Sequence, residues 1–318
     1  MKIPHILRNW SLPIAMISGA AAYFLYTALP MPEGTDNLVS SVISVVQPAL
    51  IFAMLFVTFC KVRFKELKPQ RWHLGLLAFQ LIPFIAFSLM LALSHGMPQG
   101  TRVLVESAMM CLLCPTATAA AVITAKLGGD SASLVSYTIQ INMAVAIVAP
   151  LFLAFSYPVE GLTLGGSFLV IMGKVFPLLL LPLICASLVR RFAPGVHGWL
   201  VTKGKNLPFY LWLVALALAI AVTTRAIVHA RISLLVMVGI AAVSLFCCLL
   251  QFYAGRRIGA RHGETVTGGQ ALGQKNTVFA IWFAYTFLTP VTAIAGGFYS
   301  VWHNLVNTWQ LYKLRTKR

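Results

Sequence analysis

Acidic side chains are nearly missing from this sequence: seven Asp and Glu stand against 24 Lys and Arg among 318 residues. Charge of either sign is scarce, at 10% of residues, where a soluble domain carries about 25%. So few charges cannot cover a water-facing surface, and this excludes a soluble globular domain. No H-E-x-x-H, no paired acidic motif and no glycine-flanked serine beside a base occurs within an apolar stretch. An intramembrane enzyme needs an acid, base, nucleophile or metal constellation at depth, so the chain is expected not to be an enzyme. The six cysteines fall in or beside apolar segments without nearby histidine. Cys111-x-x-Cys114 therefore reads as small packing side chains, and no metal is expected.

What the sequence has is apolar length, with 59% hydrophobic residues. A membrane span needs about 20 mostly apolar residues, because a helix rising about 1.5 Å per residue must cross about 30 Å of hydrocarbon. With short loops the chain holds about ten spans. They are expected at 12–30, 39–60, 72–94, 102–125, 131–156, 166–189, 207–229, 232–254, 265–288 and 290–312. A cleaved signal peptide over residues 1–30 is the rival for the first of these, since Lys2 and Arg8 precede the apolar stretch and Gly19 to Ala22 are small. The stretch is long enough to span, which favours a retained helix.

The net charge of +17 is a topology signal rather than a nucleic-acid one. With the amino terminus cytoplasmic, nineteen cations fall inside: Lys2, Arg8, Lys61, Arg63, Lys65, Lys68, Arg71, Lys126, Arg190, Arg191, Lys203, Lys205, Arg256, Arg257, Arg261, Lys313, Arg315, Lys317 and Arg318. Only Arg102, Arg225 and Arg231 fall outside, and Lys174 and Lys275 lie within spans. This is the positive-inside bias, and it puts both termini in the cytoplasm. The expected partner is a lipid bilayer, that of a bacterial inner membrane, with no nucleic acid. Ten spans divide into two five-helix halves, 1–160 and 161–318. An odd number per half inverts the second, which is the inverted-repeat plan of many secondary transporters.

In such folds the site lies where helices are interrupted near the midplane. Two stretches qualify, each in the fourth segment of its half. The first is Cys114-Pro115-Thr116-Ala117-Thr118-Ala119-Ala120-Ala121, where Pro115 removes a backbone donor and small residues allow close approach. The second is Gly268-Gly269-Gln270-Ala271-Leu272-Gly273-Gln274-Lys275-Asn276-Thr277, the most polar run inside any span. Its glycines are expected to permit unwinding. A cation at membrane depth costs about 2.5–3.5 kcal/mol on insertion scales, so Lys275 must face a partner or a cavity. Trp302-His303-Asn304, with Asn307 one turn later, gives the last span a polar stripe. Glu106 is expected to pair with Arg102 at the outer mouth, and Lys174 to snorkel.

These residues carry a resemblance. With Pro48 before Ile51 to Leu55, Pro83, Pro115 to Val122, Gly129-Asp130, Pro177 with its apolar run into Arg190, Gly273 to Asn276, and Ser300 to Asn304, the chain resembles the bile acid:sodium symporter family. The resemblance implies an all-α protein of ten transmembrane helices in two inverted five-helix repeats. It implies a panel domain from helices one, two, six and seven, a core domain from helices three to five and eight to ten, and broken, crossing fourth and ninth helices. It implies an organic-anion substrate such as a bile acid, a steroid conjugate or pantoate, and it places Thr118, Asn276, His303 and Asn304 at the substrate.

The family's sodium ligands are not matched. Its fourth-helix serine and asparagine fall on Ala120 and Ala121, and its ninth-helix glutamate and glutamine on Ala271 and Lys275. The fifth-helix hydroxyls fall on Leu134 and Thr138, and the third-helix glutamine on Ala78, with Gln80 two positions away. Alanine offers no side-chain oxygen, and two cations about 4 Å apart repel by about 4 kcal/mol at an effective dielectric of 20. Sodium, the family's coupling ion, is therefore not expected as a cofactor here. The reading is a sodium-independent carrier in which the Lys275 ammonium stands in for the ion. The alternatives are a sodium- or proton-coupled symporter with a rebuilt cation site, a channel, an auxin- or arsenite-carrier relative, and a sensor on the same fold. A sensor is expected to carry a soluble output domain, and no stretch reads as one.

Overall fold

Long runs of Leu, Ile, Val, Phe and Ala leave a helix as the way to satisfy backbone groups in lipid. A computed structural model describes residues 11–30, 32, 34–62, 67–94, 96–230 and 232–316, and among them are 14 α-helices and no strand. Lys2, Arg8, Arg63, Lys65, Arg231, Lys317 and Arg318 of the topology argument lie outside the described residues. The helices are α1 (Ser11–Ala28), α2 (Thr35–Cys60), α3 (His73–Leu93), α4 (Gln99–Leu113), α5 (Ala120–Lys126), α6 (Ser131–Ser156) and α7 (Leu164–Leu179). They continue with α8 (Leu181–Phe192), α9 (Pro194–Thr202), α10 (Leu207–His229), α11 (Leu234–Ala260), α12 (Thr265–Gly273), α13 (Thr277–Phe287) and α14 (Pro290–Thr316).

By length and hydropathy, α2, α3, α6, α10 and α11 can each cross a membrane, and α7 with α8 makes a sixth if taken together. No more than half of any of these five apolar windows is buried within the protein. Leu93, Leu234 and Leu235 expose 77%, 76% and 81% of their surface. Apolar side chains on the outside of long helices make this a multi-pass helical membrane protein. A helix or a pair of helices occupies each of the apolar stretches read from the sequence. Three of those stretches are divided. The sixth breaks at Leu180, between Pro177 and Pro182, where Pro182 has no N–H to give the Leu178 carbonyl. The fourth divides into α4 and α5, and the ninth into α12 and α13.

Contacts gather the chain into two compact units, Met1–Lys61 with Leu181–Ala230, and Val62–Leu180 with Arg231–Arg318. The first holds α1, α2 and α8 to α10. There Ala15, Leu216 and Ile220 form a small core with Met16, Ala20 and Trp212. Gly19 lets α1 touch α10, since a Cβ on it would lie 2.2 Å from the Ala217 carbonyl oxygen. Between α8 and α10, a stretch read as loop contains α9, which begins at Pro194 in the helix-starting position.

The second unit holds α3 to α7 and α11 to α14. Polar side chains fasten α3 to α6. His73 donates from Nε2 to Ser133 Oγ at 3.0 Å and accepts at Nδ1 from Gln140 Nε2 at 3.0 Å, an arrangement that fixes the neutral tautomer. Ser88 and Ser156 hydroxyls meet at 2.6 Å. Glu106 is 1% exposed and joins three elements: it accepts from Arg102 Nε at 3.1 Å, from Tyr157 Oη, and from Thr292 Oγ1 at 2.5 Å. The pair with Arg102 is the one the i,i+4 spacing predicts, although its carboxylate is buried rather than at an open mouth. Lys174 is exposed, with its ammonium 5.8 Å from the Phe287 ring centroid.

Glycines in the second polar run do something other than unwind it. Residues 265–273 are helical, and none of Gly268, Gly269 and Gly273 has a positive φ. A Cβ on Gly268 would lie 2.2 Å from the Gly255 oxygen, and one on Gly255 2.1 Å from the Gly268 oxygen. These glycines let α11 and α12 meet backbone to backbone.

Candidate functional site

The site is built where two helices stop short. Cys114 precedes Pro115, which steers it out of the helical region, and it takes φ −51° and ψ 128°. Helix α4 therefore ends at Leu113, and residues 114–119 are unwound before α5. Pro48, Pro83 and Pro150 also sit in apolar stretches, yet their helices run on. What differs at Pro115 is that the freed chain has a partner. Helix α12 ends at Gly273, Gln274 is extended, and α13 begins at Thr277.

The two unwound segments pair as a single antiparallel bridge between Thr116 and Lys275. Asn276 N donates to Pro115 O at 2.9 Å, and Ala117 N donates to Gln274 O at 2.9 Å. Thr116 Oγ1 donates to Ala271 O at 2.7 Å, and Cys114 Sγ to Asn276 O at 2.8 Å. The crossing thus consumes backbone groups that neither broken helix can satisfy within itself.

Two glutamine–tyrosine pairs satisfy further carbonyls at the breaks. Gln80 of α3 donates from Nε2 to Leu113 O and Cys114 O, both at 2.9 Å, and accepts at Oε1 from Tyr137 of α6 at 3.1 Å. Gln251 of α11 donates from Nε2 to Cys111 O and to Tyr299 Oη, both at 3.0 Å. Tyr299 of α14 donates in turn to Gly273 O at 3.0 Å. The third-helix position expected at Ala78 is exposed, and Gln80 is the residue that reaches the break. Gln80, Gln251, Tyr137, Tyr299 and Thr116 were not singled out as site residues. The signal for the glutamines was in the sequence, since each is a lone amide inside an apolar run.

Lys275 is 1% exposed, and its Nζ has no hydrogen-bond partner among the described residues. Asn276 caps α13, accepting from Phe279 N at 3.2 Å through Oδ1. That bond fixes the amide and leaves Nδ2 as an unpartnered buried donor. His303 is 5% exposed with its ring edge-on to Tyr299, 5.8 Å between centroids, and its Nδ1 is also unpartnered. Thr118 and Asn304 are half-buried, and Asn304 Nδ2 donates to Ser300 O at 2.7 Å within its own helix. Asn307 accepts from Gln270 Nε2 at 3.0 Å. The crossing therefore holds two buried nitrogen groups without partners, Lys275 Nζ and Asn276 Nδ2, beside the positive end of α13, an arrangement that can hold an anion.

No protein-family model and no curated protein matches the chain.

The positions that the resemblance assigns to sodium ligands do not fit a sodium ion. Ala120 and Ala271 are buried and Ala121 is half-buried, and none brings a side-chain oxygen. Thr138 Oγ1 donates to Leu134 O of its own helix at 2.9 Å. Lys275 brings a basic nitrogen, and no oxygen, to the same place. Among the described residues, no group of three or more His, Cys, Asp or Glu is arranged to hold a metal ion.

Proposed function

We propose that the chain is a secondary transporter of an organic anion, working by alternating access without sodium. Its substrate class is bile acids, steroid conjugates or small organic acids such as pantoate. Lys275 takes the place of a bound cation: its ammonium provides the positive charge at the crossing and faces the anionic group of the substrate. The observation that carries this reading is the pair of unpartnered, buried donors, Lys275 Nζ and Asn276 Nδ2, set at the N-terminus of α13 where two unwound segments cross. A buried polar group without a partner is costly, and one left so in a binding site marks the ligand's place. Asn276 and His303 donate to the substrate in this reading, with Thr118 and Asn304 alongside.

The ten-span inverted repeat, with panel and core domains and both termini in the cytoplasm of a bacterial inner membrane, belongs to the same proposal. It is supported by a glutamine and a tyrosine from flanking helices in each half: Gln80, backed by Tyr137, and Gln251 donate to carbonyls at the first break, and Tyr299 donates to Gly273 O at the second. It is supported in part by the unit that gathers α3 to α6 with α11 to α14, although that unit also takes in α7, the first half of the sixth span, which the resemblance gives to the panel. The family resemblance enters on the same footing, through the residues quoted for it. Uptake of labelled taurocholate and pantoate into proteoliposomes, against empty vesicles and the Lys275→Ala protein, tests the reading. Saturable uptake by the unaltered protein that Lys275→Ala abolishes is expected. Equal uptake by both proteins removes Lys275 from the mechanism.

A further inference from the structure

Lys275 poses a question of charge balance. Its Nζ is fully enclosed and meets no acceptor among the described residues. The titratable groups around it are four thiols, Cys111 from α4, Cys114 just beyond its end, and Cys247 and Cys248 from α11. Tyr299 and His303 face the same region from α14, and Tyr137 reaches the break from α6 through Gln80. None of these is a carboxylate. Glu264, at the start of α12, accepts from Thr267 Oγ1 at 2.5 Å, and Glu106 is held by Arg102, Tyr157 and Thr292. The N-terminus of α13 adds partial positive charge rather than removing it. Among the described residues, therefore, no carboxylate meets the Lys275 Nζ as a counter-charge.

We infer that Lys275 takes up one proton each time the substrate anion binds and gives it back when the anion leaves, so that the carrier is a proton–anion symporter. The inference rests on the anion-transporter reading and names its coupling ion. With the site empty, Nζ is an amine surrounded by thiols and apolar side chains. When an anionic headgroup arrives, it supplies the missing counter-charge, and a proton from water on that side converts the amine to ammonium. The proton and the anion then cross together, and both are released on the other side. For a monoanion the loaded and the empty site carry the same net charge, so neither crossing moves charge through the membrane field. This makes a lysine do what a bound sodium ion does by other means: it makes binding of the anion conditional on binding of a cation.

Isothermal titration of the purified full-length protein with taurocholate, in buffers of different ionisation enthalpy, counts the protons taken up. Taurocholate suits this because its sulfonate stays charged throughout, so any proton consumed belongs to the protein. Uptake of about one proton per anion is expected, with affinity falling about tenfold per pH unit across the range in which the empty protein is unprotonated at Nζ. Lys275→Arg keeps a permanent cation, and is expected to bind the anion with no proton uptake. His303→Gln is expected to retain the proton uptake even where its affinity falls. Anion binding with no proton uptake by the unaltered protein overturns the inference while leaving the transporter reading intact. So does proton uptake that survives in Lys275→Arg or is lost in His303→Gln. Absence of binding by both taurocholate and pantoate overturns the anion reading itself, and the inference with it.

Discussion

Replacing Gln80 with leucine isolates what holds the first break open. The side chain is fully buried, and its Nε2 is the donor for two carbonyls, Leu113 O and Cys114 O, each at 2.9 Å. Leucine matches the size of glutamine and donates nothing. Each buried carbonyl left unsatisfied is worth about 1–3 kcal/mol, so the variant loses about 2–6 kcal/mol if the break keeps its geometry. Tyr137 loses its acceptor as well. At a few degrees per kcal/mol in a chain this large, the midpoint of thermal unfolding in detergent falls by at least about 4 °C. Tyr137→Phe removes only the hydroxyl that orients the amide, and is expected to cost about 1 kcal/mol. A Gln80→Leu protein that melts within a degree of the unaltered one would refute the claim that these bonds hold the break.

The remaining predictions concern single side chains. Asn276→Asp keeps the cap on α13 but replaces the free donor with a carboxylate oxygen, so the protein is expected to melt normally and lose anion uptake. Asn276→Ala loses both, with about 1 kcal/mol of stability going with the cap; a fully active Asn276→Asp would contradict the assigned role. Gly268→Ala puts a methyl 2.2 Å from the Gly255 oxygen and is expected to destabilise by about 1–3 kcal/mol, read as a lowered unfolding midpoint. Glu106→Gln removes the charge that Arg102, Tyr157 and Thr292 donate to, and a loss of about 2 kcal/mol is expected by the same measurement.

The positions of the helices were legible because each is an apolar run bounded by charge, glycine or proline. The two breaks were legible for a different reason: Pro115 and the polar run ending at Asn276 are unlike anything else in those stretches. The pairing between them was not, because it joins residues some 160 positions apart through backbone atoms. Nor was the register of α3. An apolar stretch has no polar face to fix its rotation, so a two-residue offset separates exposed Ala78 from buried Gln80. The glycines of α12 were read as freedom to unwind, when a sequence cannot distinguish that use from close approach to Gly255. Helix α9 went unread because its nine residues, two of them glycine, are too few to show a period. Around Glu106 the local pair with Arg102 followed from spacing, while Tyr157 and Thr292 come from 51 and 186 residues away.

The most direct test of the account is the initial rate of taurocholate uptake into proteoliposomes with sodium, and then with choline, as the only external cation at fixed pH and ionic strength. Equal rates are expected, both abolished by Lys275→Ala. Uptake that requires sodium would contradict it, because Ala120, Ala121 and Ala271 offer the ion no side-chain oxygen and Lys275, a cation once the anion is bound, would have to share its place with a second positive charge.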